Sequence, residues 1–297
     1  MGSTLGAGGP WTRVHHLSAT EYLNYEGGKF SKSRGIGVFG NNARDTGIDP
    51  DIWRFYLLAR RPESGSDTEF QWEEFVNVNN NELLKNLGNF VLRVIKFCQA
   101  KMGGVVPKYT VLEEHRADVD AVLQTYIANF EATKLRPAVQ NVLQISTLGN
   151  KFLQDNKLDN RLFTEEPERC ATVIGMALNH IHLLASLVSP YMPQIAESIF
   201  NQLNVEPIAK IPDSWTATDL PAGHTLGEPK ALFSLIPAAK IDEWRDAFGG
   251  EELKAQKRLE AEKAAAKKEA KKREKEAKKQ KKLEAAMAEA SLAPKEG

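Results

Sequence analysis

The chain has little cysteine and no long uninterrupted apolar run. Its 297 residues include two cysteines, Cys98 and Cys170, which lie far apart and lack C-x-x-C spacing. This pattern excludes a disulfide framework and does not match a zinc site, so we expect buried reduced thiols and no metal. His180 and His182 lack a third ligand and are expected inside or beside the core.

No apolar run reaches the roughly 18 residues of a membrane helix, so we predict no membrane partner.

The first ten residues lack the apolar pattern of a buried strand. The segment 1–10 consists largely of small residues. It therefore neither starts a nucleotide-binding βαβ unit nor supplies the hydrophobic region of a signal peptide. Together with the expected reduced thiols, this favours a cytoplasmic protein.

The formal net charge of zero conceals a strong separation of charge along the chain. Residues 254–282 contain 14 lysines or arginines against 5 glutamates, a balance of +9 that leaves −9 elsewhere. Such an asymmetry is typical of an interaction tail. The tail has almost no large apolar residues, which favours a solvated single helix over a coiled coil.

Apolar residues at three- and four-residue spacing predict a mainly α fold. We predict that Thr164 begins one of its helices as a capping residue. After Pro207 the sequence predicts an extended segment that Leu232–Pro237 anchors to the helices. The predicted helices cover residues 50 to about 61, 72–102, 113–132, 137–154, 167–187 and 241–248.

A short loop carries two lysines and two serines between glycines. We call residues 29–33, Lys29-Phe30-Ser31-Lys32-Ser33, the phosphate loop. Its two ammonium groups and two hydroxyls suit a polyphosphate, because lysine is a compact charge and serine adds hydrogen bonds. Taken alone, the same pattern also fits a solvated basic surface loop.

The wider sequence resembles the KMSKS region of cytosolic methionyl-tRNA synthetases. The resemblance rests on Leu17–Gly28, the phosphate loop and Arg34–Gly40, and it continues through Asp51–Leu58 with Arg61-Pro62-Glu63 behind it. Further segments of the same kind are Ser189–Pro193 and Gly223–Gly227. The resemblance spans roughly residues 10 to 250.

The resemblance implies a helical-bundle anticodon-binding domain, preceded by a remnant of the class I catalytic domain and followed by a basic helical tail. The implied boundaries are 1–48 for the end of the catalytic domain with its KMSKS loop, 49–75 for a connecting helical segment, 76–205 for the bundle, 206–250 for a segment packed on it, and 251–297 for the tail.

The implied activity is that of a methionine–tRNA ligase, which attaches methionine to tRNA through an adenylate. The phosphate loop would bind ATP, as its magnesium complex, through all five residues, with Lys32 and Lys29 as the catalytic cations. No HIGH-like motif is present, since the pair His15-His16 lacks the pattern. We therefore expect this chain alone to be inactive, with methionine bound only through a missing half. A truncated gene model, a fragment and a split enzyme all remain open.

Two residues of the predicted helix 72–102 are candidates for tRNA recognition. Asn89 and Arg93 stand one turn apart, on a face that we predict they share with Asn86 and Lys96. An amide and a guanidinium can read unpaired bases, although the pattern alone also fits an ordinary solvated face. The resemblance assigns Asn89 and Arg93 to the anticodon. Residues 154–161 contain no aromatic residue where many family members carry a base-stacking tryptophan.

The tail is predicted to neutralise phosphates of the tRNA backbone. Two alternatives belong to other classes: a non-catalytic tRNA-binding protein derived from the synthetase, and a helical scaffold in a multi-synthetase complex. In the scaffold the tail would dock on protein instead of RNA. The tail residues assigned to the tRNA backbone are Lys267, Lys268, Lys271, Lys272 and Arg273.

Overall fold

The structure is a computed structural model that describes residues 6–12, 17, 19–207, 209–251, 255, 259 and 263. It contains two compact units, of which the first comprises residues 1–30 and 38–242 and the second residues 31–37 and 243–297. The pair His15-His16 and the five assigned tail cations, 267, 268 and 271–273, lie outside the described residues.

The prediction of a mainly α fold is confirmed. The described residues contain three short strands: β1 (Leu23–Tyr25), β2 (Gly28–Lys29) and β3 (Thr68–Phe70). The helices of the described part are α1 (Gly40–Asp45), α2 (Pro50–Arg60), α3 (Trp72–Asn77), a π-helical segment (Val78–Gly88), α4 (Asn89–Met102), α5 (Glu113–Glu131), α6 (Leu135–Asp155), α7 (Asn160–Glu165), α8 (Pro167–Val188), α9 (Pro193–Leu203) and α10 (Ala239–Phe248).

The three strands form a small sheet that the helical periodicity did not predict. The strand order is β2-β1-β3, with β1 antiparallel to β2 and parallel to β3. Glu26 (φ 48°) and Gly27 (φ 80°) form the two-residue turn between β1 and β2, since both adopt left-handed backbone angles. The Tyr25 ring stacks on Phe70 at 5.8 Å, and its hydroxyl accepts a 2.8 Å hydrogen bond from Trp72 Nε1. Aromatic packing thus holds the sheet on the start of α3.

Helix α2 is fixed to the corner between α8 and α9 by two oppositely charged side chains. The buried Asp51 carboxylate accepts hydrogen bonds from the backbone N–H groups of Gln194 and Ile195, at 2.8 and 2.9 Å. Arg54, one turn later, donates to the carbonyl oxygens of Tyr191 at 3.0 Å and Pro190 at 3.2 Å. The acid thus meets the N-terminus of α9, as the helix dipole favours, and the base binds carbonyl groups of the link between α8 and α9.

The predicted helix 72–102 is continuous, but its centre is π-helical. Within that segment Asn79 Nδ2 donates to the Ser234 carbonyl at 2.9 Å, and Asn80 exchanges two bonds with the Ile236 backbone at 2.8 and 2.9 Å. These bonds confirm Leu232–Pro237 as an anchor of the C-terminal segment. A π-helical stretch is rare and commonly accompanies a functional site.

The remaining helix predictions agree with the structure to within a few residues, apart from one capping assignment. Thr164 was predicted to begin the apolar helix, and this was wrong. It lies inside α7, where its hydroxyl donates to the Asn160 carbonyl at 2.9 Å. Helix α8 instead begins after Glu166 with Pro167 in its first turn, because proline is well suited to that position.

Helices α6 and α8 form the centre of the bundle. At Gly149 on α6, an added Cβ would lie 2.4 Å from the Phe90 ring, so only glycine permits this close approach to α4. Helix α8 is long and apolar enough to cross a membrane by length and composition, unlike our prediction, but 83% of its apolar window is buried inside the protein. Burial of this kind is what a core helix requires.

A pair of histidines is buried between α5 and α8. His115 Nε2 lies 3.2 Å from His180 Nδ1, and the His115 ring stacks on Phe152 at 4.0 Å. Burial lowers the pKa of His115 from 6.5 to about 4 and places the pKa of His180 well below its usual value. Both rings are therefore neutral at physiological pH. The described residues contain no group of three or more metal-ligating side chains.

Candidate nucleotide loop and nucleic-acid interface

The first two residues of the phosphate loop belong to the first unit. Lys29 ends β2, is exposed, and places its ammonium 5.9 Å from the centre of the Tyr22 ring. The Phe30 ring is half-buried, tilted against Tyr25 at 5.4 Å and edge-on to Phe39 at 5.6 Å. Phe30 therefore serves as an apolar anchor where the loop leaves the sheet, and its side chain is engaged in packing.

The other three loop residues belong to the second unit and form a tight turn. Ser31 and Ile36 exchange two backbone hydrogen bonds of 2.8 and 2.9 Å. Gly35 closes the turn with a φ of +67°, a conformation that other residues adopt at an energetic cost. Lys32 and Ser33 are exposed at the tip. The turn thus exposes the ammonium of Lys32 and the hydroxyl of Ser33 to solvent, while backbone hydrogen bonds fix its conformation.

The base of this turn is tied to the end of α10 within the same unit. Gly37 N donates to the Phe248 carbonyl at 2.8 Å, and Ile36 forms an antiparallel bridge with Gly249. On the loop itself, Arg34 Nε lies 3.3 Å from Ser31 Oγ. These bonds fix both ends of the turn and leave its tip, with Lys32, as the exposed part.

Asn89 and Arg93 stand where the helical spacing places them, exposed and one turn apart on α4. Arg93 Nη2 donates a 2.7 Å hydrogen bond to the carbonyl of Leu158, in the link between α6 and α7. The arginine side chain is therefore held at the surface by one of its five donors. The remaining donors and the amide of Asn89 are polar groups of the kind that read unpaired bases.

Asn86 does not share this exposed face, so its predicted placement was wrong. Its side-chain amide donates to the Leu143 carbonyl at 3.2 Å and to Thr147 Oγ1 at 3.0 Å, while its carbonyl oxygen accepts from Ser146 and Asn150. The reason is that α6 packs directly beside it, and a half-buried amide needs these partners. Asn86 is thus a structural link between the π-helical segment and α6.

Sequence reasoning missed an aromatic pair on the same surface. Phe97 lies one turn beyond Arg93, and the Phe163 ring from α7 meets it edge-on at 6.4 Å. Lys101 Nζ is 5.9 Å from the centre of the Phe163 ring. The i, i+4 spacing of residues 89, 93, 97 and 101 was visible in the sequence, but the approach of Phe163 was not.

The segment that contains the phosphate loop matches class I aminoacyl-tRNA synthetases, and this match gives the class of the chain. Family models match two parts of the chain: residues 3–95 match tRNA synthetases class I (M), and residues 107–253 match the anticodon binding domain of methionyl tRNA ligase. The chain belongs to the methionyl-tRNA synthetase family.

Several eukaryotic relatives are similar over most of this chain. A probable cytoplasmic methionine–tRNA ligase of Schizosaccharomyces pombe is 50% identical over 257 residues, 84% of this chain and 32% of the relative. The cytoplasmic enzymes of Saccharomyces cerevisiae and Homo sapiens are 48% and 44% identical over 85% of this chain, and 34% and 29% of their own lengths. The chain thus spans about a third of the curated relatives it matches.

Solved structures show the same fold. The Mycobacterium tuberculosis methionyl-tRNA synthetase in complex with methionyl-adenylate matches with a TM-score of 0.59 at 23% identity, over 71% of this chain and 42% of that chain. Its free form matches with a TM-score of 0.58 at 20% identity. At this level of identity the likeness concerns the architecture alone.

Proposed function

We propose that this chain supplies the ATP-binding KMSKS loop and the anticodon-reading surface of a cytoplasmic methionine–tRNA ligase. The observation that carries the proposal is the exposed pair Asn89 and Arg93, with the guanidinium held in place by the Leu158 carbonyl. A preorganised guanidinium beside an exposed amide loses little entropy when it binds a base. The relatives named cytoplasmic methionine–tRNA ligases support the substrates tRNA, ATP and methionine.

The ATP part of the proposal rests on Lys32. Its exposed ammonium sits at the tip of a turn whose backbone is fixed by the bonds of Ser31 and Ile36. A cation carried by a fixed backbone can stabilise negative charge on the phosphates as pyrophosphate departs, and the magnesium of the ATP complex would share that charge. Lys29, Phe30, Ser31 and Ser33 complete the proposed nucleotide loop.

The anticodon assignment predicts a loss of base discrimination. In the 297-residue chain, Asn89→Ala or Arg93→Ala is expected to reduce the preference for a CAU anticodon stem-loop RNA about 5-fold to 150-fold, because one base contact contributes roughly 1–3 kcal/mol of discrimination. Dissociation constants for CAU and single-mismatch stem-loops measure this ratio at fixed salt.

Lys96→Ala is the matched control, since this exposed cation lies on the same helix. It should weaken all RNAs alike and leave the ratio unchanged, because phosphate contacts position the RNA without reading it. If both Asn89→Ala and Arg93→Ala retained the full CAU preference, the assignment of these residues would be wrong.

The proposed role of the tail predicts a change in salt dependence. Replacing the five tail cations 267, 268 and 271–273 by glutamine in the full chain should weaken matched and mismatched tRNAs equally. The slope of log affinity against log salt should flatten by up to about 4, since each phosphate contact contributes about 0.7 to 0.9. Filter binding of whole tRNAs between low and moderate salt measures both quantities. An unchanged slope would contradict the RNA arm and favour the scaffold alternative.

A further inference from the structure

The exposed polar stripe of α4 continues past Arg93 into an aromatic and a cationic residue. Asn89, Arg93, Phe97 and Lys101 follow one another at four-residue steps along this helix. Each step advances about 6 Å along the helix axis, so the four side chains form one row. The half-buried Phe97 ring therefore lies immediately beyond the guanidinium of Arg93.

The chain segment that Arg93 holds is also the one that delivers Phe163 to this row. Arg93 bonds to the Leu158 carbonyl, and Asp159 then caps α7 by accepting a 2.8 Å hydrogen bond from Leu162 N. Helix α7 places Phe163 edge-on against Phe97 at 6.4 Å, with an interplanar angle of 79°. The Phe163 ring is half-buried and so keeps part of its surface in solvent.

A lysine lies against the Phe163 ring. Lys101 Nζ is 5.9 Å from the ring centre, and two further exposed lysines are close in sequence, Lys96 beside Phe97 on α4 and Lys157 in the link before α7. The acidic side chains of this short helix are engaged locally: Asp159 caps the helix, and Glu165 forms a 2.8 Å ion pair with Arg161. An aromatic face among lysines is the arrangement by which proteins hold unpaired bases of RNA.

We propose that Phe163, supported by Phe97 and Lys101, is a stacking platform for an unpaired nucleobase of the tRNA anticodon loop, next to the bases contacted by Asn89 and Arg93. This inference rests on the proposed anticodon function and extends it to residues outside 154–161. Every base has a π face, so the platform adds affinity and carries no base identity. Lys101 contributes charge to the adjoining phosphate.

The alternative is that the two rings only pack α7 onto α4. Phe163→Leu separates the two possibilities, because leucine keeps an apolar contact with Phe97 and removes the π face. In the full chain, this variant is expected to bind a CAU stem-loop about 5-fold to 150-fold more weakly, the loss of roughly 1–3 kcal/mol per stacked base. Its salt slope and its CAU preference should stay at the values of the unmodified chain. Phe163→Tyr should retain the affinity.

The matched control is Phe130→Leu. Phe130 is also half-buried and aromatic-packed, stacking on Tyr126 at 5.6 Å, but it lies on α5. Its substitution should leave RNA affinity unchanged, and thermal unfolding of both leucine variants shows whether they fold equally well. A third variant, Lys101→Ala, should reduce the salt slope by about 1.

The outcomes keep the two proposals apart. If the unmodified chain prefers CAU but Phe163→Leu binds with unchanged affinity, the stacking platform is refuted and the anticodon function stands. If Phe163→Tyr loses as much RNA affinity as Phe163→Leu, the ring serves only to pack α7 onto α4, and the stacking platform is again refuted. If the unmodified chain shows no preference among anticodons, the proposed anticodon function fails, while a selective loss in Phe163→Leu still supports an RNA-stacking ring.

Discussion

Lys32→Ala, tested in this chain joined to an intact catalytic domain, is expected to lower the adenylation rate about 100-fold to 1,000-fold. The reason is that a fixed donor aimed at charge that develops in the transition state contributes roughly 3–4 kcal/mol. The structure fixes the backbone that carries Lys32, since Ser31 and Ile36 close the turn with two backbone hydrogen bonds and Lys32 is exposed at its tip. Methionine affinity should change little, because the cation acts on the phosphates.

Pyrophosphate exchange at saturating and subsaturating ATP measures this effect and separates the rate from ATP binding. Lys29→Ala is the comparison variant, with a smaller expected loss because its ammonium lies over the Tyr22 ring. Arg34→Ala, a third exposed cation of the loop region, controls for the general loss of positive charge. Equal rates for Lys32→Ala and the parent enzyme would refute the catalytic role of Lys32.

The sequence predicted the helices best, because helical spacing depends only on residues that are close together along the chain. Residues 113–131, 135–155 and 167–188 each carry apolar side chains at helical spacing, and spacing is a property of neighbours along the chain. Capping signals are also local, but Thr164 shows that such a signal can place a helix start wrongly. A Ser or Thr before an apolar run can equally well sit inside a short preceding helix, as it does in α7.

The elements that escaped prediction depend on contacts between distant residues. The parallel pairing of β1 with β3 joins segments more than forty residues apart, and three-residue strands have no usable alternation. The π-helical turn around Asn79 and Asn80 depends on bonds to residues 234 and 236. Asn86 was misplaced for the same reason, since its partners lie on α6.

The candidate site likewise combines features that the sequence predicts with features that depend on tertiary structure. The composition of residues 29–33 predicted a polyphosphate loop, and the helical repeat placed Asn89 and Arg93 on one exposed face. The fixing of Arg93 by Leu158 and the packing of Phe163 on Phe97 arise from tertiary structure. The assignment of these groups to methionine and its tRNA came from family resemblance, because neither charge nor periodicity specifies a substrate.

The buried pair His115 and His180 predicts a marked loss of stability in mild acid. An unfolded histidine titrates near pH 6.5, whereas burial lowers the pKa of His115 to about 4 and that of His180 in the same direction. Between these values the unfolded chain binds protons that the folded chain does not, so stability falls as pH decreases. From pH 7 to 5 we expect a loss of about 2 kcal/mol from His115 alone, with His180 adding to it.

Urea unfolding at pH 7, 6 and 5 measures this loss as a change in the free energy of unfolding. His115→Gln removes one titrating ring and keeps a polar side chain beside His180, so its stability should depend less steeply on pH. Phe152→Leu is the control: it removes the ring that stacks on His115 at 4.0 Å without removing a titrating group. It should lower stability at every pH by a similar amount. Stability that is flat from pH 7 to 5, or an equal slope in His115→Gln and the parent, would contradict a neutral buried pair.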